Sequence, residues 1–82
     1  RAMISEGAKI LGEVEHSVIF SGASVGKGAK VTNSVIFPGA KIEDGAVVDY
    51  AILAQDVTIK PGAQVIGKEG EISVIAEGEV VG

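Results

Sequence analysis

Aliphatic residues return every six positions along most of this chain, and that spacing restricts its fold more than any other feature. The segments "ISEGAKI" (4–10), "IFSGASV" (19–25), "IFPGAKI" (36–42), "LAQDVTI" (53–59) and "IAEGEVV" (75–81) each begin and end on one. Val31, Val48 and Val65 carry the series a further six. The next step, from Val31 to Ile36 or Val48 to Leu53, takes five, so a full cycle is 17 residues. The literal repeat "SVIF", at residues 17–20 and 34–37, has the same offset. Two residues before each anchor stands a small side chain: Ala8, Ser17, Ala23, Ala29, Ser34, Ala40, Ala46, Ala51, Ala63 and Ser73. Val57 is larger, and Glu79 breaks the pattern.

Alternation of this kind marks strands buried on one side only. Gly22, Gly39, Gly45 and Gly62 mark sharp turns between them. Three short strands and three corners make one triangular coil, and successive coils stack with parallel pairing about 4.8 Å apart. The large aliphatic points to the axis, and the small residue lies near a corner, where the prism is narrow. A helix is excluded by the apolar period and by 12 glycines, each costing about 1 kcal/mol inside a helix. Two cycles are irregular. Ile4 to Ile19 is 15 residues and Leu53 to Ile75 is 22. The excess in the second falls in "GKEGEI" (67–72), which reads as a loop thrown out from a corner. The expectation is one all-β domain over residues 1–82, a solenoid of about four to five coils and roughly 20 Å tall.

Composition closes several other routes. A chain of 82 residues holds one small domain. Without Cys it has no disulfide framework and no thiolate metal site. Seven basic residues are scattered through a chain of net charge −4, which argues against a nucleic-acid partner. No apolar run is long enough to cross a membrane, and the first residues do not read as a signal peptide. A cytoplasmic protein is expected.

"SVIF" is apolar at three successive positions where neighbouring segments alternate. With Ser17 and Ile19 inside, Val18 and Phe20 must point out. The same holds for Val35 and Phe37, then for Ile52 and Val74 in later coils. Val18, Phe20, Val35, Phe37, Ile52 and Val74 therefore form one apolar outer face. The other two faces carry Ser24, Lys41, Glu43, Thr58 and Lys60, or Lys30, Thr32, Asp49 and Gln64. Contiguous apolar patches of this kind mark interfaces. These six residues are the candidate site, to be covered by another domain or another subunit.

The repeat is the hexapeptide pattern of left-handed parallel β-helix proteins. Beyond it, "SEGAKILGEVEHSVIFSGASVGKGAKVTNSVIFPGAKI" (5–42) and "VIGKEGEISVIAEGEVV" (65–81) resemble the carboxy-terminal domain of bacterial glucose-1-phosphate adenylyltransferase (ADP-glucose pyrophosphorylase). The shortened first coil and "VEHSV" are the more specific part. The resemblance implies a regulatory and oligomerisation domain. Its full enzyme joins ATP and glucose 1-phosphate into ADP-glucose and pyrophosphate for glycogen biosynthesis. The chemistry, with Mg²⁺, sits in a larger amino-terminal domain that has no counterpart in these residues. The implied partners are that domain, further copies in a homo-oligomer, and a phosphorylated-sugar effector. Plant-type members carry an activator-binding Lys just after a "VI" pair near the end, and here that position is Ala76. A fragment of a hexapeptide-repeat acyltransferase is the alternative.

The remaining polar residues read as solvated. His16 is the only His. In hexapeptide acyltransferases a His acts as general base on an acceptor hydroxyl, but a corner position is the expectation here. One His per chain cannot supply the three-His zinc site that another enzyme class builds on this fold. Glu43, Asp44, Glu69, Glu71, Glu77 and Glu79 fall at corners or in the loop. Lys9, Lys27, Lys30, Lys41, Lys60 and Lys68 could meet a phosphorylated effector, although most read as corner residues. No catalytic residue, cofactor ligand or metal ligand is expected within the chain.

Overall fold

The steps of six, six and five come from two kinds of corner. The computed structural model describes residues 1–82. Between the first and second faces the chain reverses through two-residue turns at 6–7, 21–22, 38–39, 55–56 and 77–78. Between the second and third faces it does so at 27–28, 44–45 and 61–62. The return to the first face uses one residue only: His16, Asn33 or Tyr50, with φ of 49°, 50° and 50°. That left-handed conformation costs an L residue about 1–2 kcal/mol. Bonds between successive bends offset the cost. Asn33 N–H donates to Glu15 O at 3.1 Å, and Tyr50 N–H donates to Thr32 O at 3.2 Å.

These corners close a left-handed parallel β-helix. The first face holds strands Ala2–Ile4, Ser17–Ile19, Val35–Ile36, Ala51–Leu53 and Ser73–Ile75. The second holds Lys9–Ile10, Ser24–Val25, Lys41–Ile42, Thr58–Ile59 and Val80–Val81. The third holds Glu13–Glu15, Lys30–Thr32, Val47–Asp49 and Gln64–Ile66. Partners are 17 residues apart through the middle, as in Ile19↔Ile36 and Ile36↔Leu53.

The two irregular cycles have local causes. Lys9 pairs Ser24, an offset of 15, whereas Glu13 pairs Lys30, an offset of 17. Two residues are therefore missing from the corner after Ile10, which Leu11 and Gly12 cross alone. A Cβ on Gly12 would collide with the carbonyl oxygens of Ala29 and Gly26, so the short corner admits only glycine. At the other end Leu53 pairs Ile75, an offset of 22. The single-residue bend is replaced there by residues 67–72. Lys68 and Glu71 exchange backbone bonds of 3.0 and 2.9 Å across a tight hairpin. Ser73 N–H then donates to Tyr50 O at 3.0 Å and returns the chain to the stack.

The core is the prism axis. Ile19, Val25, Val31, Ile36, Ile42, Val48, Leu53, Ile59 and Val65 are buried, the most exposed at 5%. Ala23, Ala29, Ala40, Ala46, Ala51 and Val57 fill the remaining inward positions. Ser17 and Ser34 are the only buried polar residues. Each hydroxyl donates to the carbonyl two residues back, Glu15 O at 2.8 Å and Thr32 O at 2.7 Å. Each also accepts an N–H from the next coil, Ser34 and Ala51 respectively, both at 3.1 Å. The serines thus extend the backbone ladder through the bend. The end coils are less covered, with Ile4 48% exposed.

Two substitutions separate these contributions. Ile36→Ala leaves a gap that stacked neighbours cannot close and should cost about 2–5 kcal/mol in urea denaturation. Ser34→Ala removes the acceptor of Ala51 N–H and should cost about 1–3 kcal/mol. Near-neutral results in the same assay would contradict the respective roles.

Candidate interaction face

Parallel pairing at fixed register puts equivalent residues directly above one another, so any outward side chain becomes a column. On the first face one column is Met3, Val18, Val35, Ile52 and Val74. Beside it, toward the corner, run Ser5, Phe20, Phe37, Ala54 and Ala76. Ser5 N–H donates to Ile19 O, Phe20 N–H to Ile36 O, Phe37 N–H to Leu53 O and Ala54 N–H to Ile75 O. No charged side chain stands in either column. The Phe20 and Phe37 rings lie 5.4 Å apart at 35°, within the range of a favourable aromatic pair. Val18, Phe20, Val35, Phe37 and Ile52 are half-buried by each other, while Val74 is 66% exposed. All six expected residues therefore share one face. Met3, 71% exposed, belongs to it too. The offset of 15 that aligns Ile4 with Ile19 also aligns Met3 with Val18, so this member was within reach of the sequence.

The other faces are mixed. Lys9, Ser24, Lys41, Thr58 and Val80 form a column on the second. On the third, Glu15, Thr32, Asp49 and Ile66 form another. Thr32 Oγ1 and Asn33 Nδ2 donate to Asp49 Oδ1 at 2.7 and 3.1 Å. These two bonds, Thr32 first, hold the Asp49 carboxyl below the ordinary carboxylate range. Thr32, Asn33 and Asp49 are thereby engaged in tying two coils together.

The residues weighed for chemistry do not converge. His16 is exposed at the first single-residue bend, beside Arg1, Ala2, Met3, Ser17 and Val18. No three His, Asp or Glu side chains stand close enough to hold a metal ion. Asp44 accepts Lys27 N–H at 3.0 Å and Glu79 accepts Ala76 N–H at 3.0 Å, so these two cap corners. Glu43 is half-buried; Glu69, Glu71 and Glu77 are exposed. Lys9, Lys27, Lys30, Lys41, Lys60 and Lys68 are all exposed. Ala76 lies at the top of the apolar face.

Six outward apolar side chains remove a few hundred Å² from water at roughly 25 cal/mol per Å². Association itself costs about 4–15 kcal/mol. Pairing of two chains through this face alone would therefore be weak to moderate. Val35→Lys combined with Phe37→Lys should leave the fold intact, because neither side chain reaches the axis. Sedimentation should show a lower oligomer mass than for the parent chain. An unchanged mass would remove this face as the interface.

Residues 1–81 match the family described as "GlmU-like, C-terminal hexapeptide". No curated protein and no solved structure matches the chain. A hexapeptide match over that span agrees with the repeat, the triangular coils and the parallel register already described. The chain belongs to the GlmU-like C-terminal hexapeptide family.

Proposed function

We infer that this chain is the carboxy-terminal regulatory and oligomerisation domain of a cytoplasmic sugar-nucleotide pyrophosphorylase of the glucose-1-phosphate adenylyltransferase kind. One observation carries the assembly role: a single uncharged apolar face on a prism whose other faces are mixed. Two further features support the family choice. The resemblance extends over residues 5–42 and 65–81, and it includes the short first coil and the hairpin at 67–72 rather than the repeat alone.

In this reading the amino-terminal domain binds ATP, glucose 1-phosphate and Mg²⁺ and makes ADP-glucose for glycogen. The β-helix holds that domain in place and joins subunits through the apolar face. A phosphorylated-sugar effector is the regulatory ligand class this reading brings. The exposed lysines of the second face supply the charge such a ligand needs, while Ala76 does not reproduce the plant-type position. A hexapeptide acyltransferase fragment is the competing reading. His16 is its only candidate base, and it stands alone on an exposed corner.

Assays separate the two. The 82-residue chain should neither form ADP-glucose from ATP and glucose 1-phosphate nor transfer acetyl from acetyl-CoA. Acetyl transfer that disappears in His16→Ala would overturn the non-catalytic assignment. The complete gene product should make ADP-glucose, and its oligomer mass should fall when this region is deleted.

A further inference from the structure

We draw no further inference here: the strongest candidate, the open hollow over Ser24 and Gly26 on the second face between Lys9 and Lys41, carries nothing, because Glu43 and Asp44 line it too and balance the two ammonium charges, so that its lining selects no class of ligand.

Discussion

Each coil must close on the same triangle as the one beneath it. That requirement is a backbone constraint before it is a matter of side chains. Strands pair only when their amides meet carbonyls at one constant level, so each corner has to turn through the same angle with the same rise. Two-residue turns do this at two corners. At the third, a single left-handed residue does it with one residue fewer. The aliphatic columns follow from that closure, because equal coils place equal positions on the axis. Where a coil departs from the standard length, something local restores the level. Gly12 does so in the first coil, where any Cβ would strike the carbonyls above it. The Lys68–Glu71 hairpin does so in the last.

Much of this was legible. The six-residue beat named the inward columns, and the 17-residue offset named their vertical partners, because both are period counts that tertiary context cannot shift. The corner chemistry was less legible. Glycine announced the two-residue turns, but His16, Asn33 and Tyr50 share no side-chain property that predicts a positive φ. Only the step of five betrays the bend. Asp56 is a similar case, with φ of 58° at a level where the other coils place glycine. The serine ladder was hidden too. Ser17 and Ser34 look like small residues in an alanine column, and their hydrogen bonds appear only once the bend is known.

The candidate face was legible for a different reason. Alternation fails in "SVIF", and the 17-residue offset then stacks its outward apolar residues into neighbouring columns on one face. Its relief was not, since the contrast between Phe20, Phe37 and Ala54, Ala76 matters only after the residues are stacked. The surrounding charges explain why the patch stands out. Lys, Glu and Asp at the remaining outward positions keep the other sheets solvated, and Asp49 is held in place by Thr32 and Asn33.

The serine ladder also has an end. It runs from Ser17 through Ser34 to Ala51, which has no hydroxyl to pass on. Above it the top coil rejoins the stack through Ser73 N–H and Tyr50 O, after a six-residue excursion that closes on itself. In a solenoid each coil is held only by its neighbours, so protection against opening is graded along the axis. The coil that begins at Ser73 stands at one end of that gradient. It carries Val74 and Ala76, the upper margin of the apolar face. Fraying of this rung loosens the upper margin of the face, and whatever covers the face also clamps this coil.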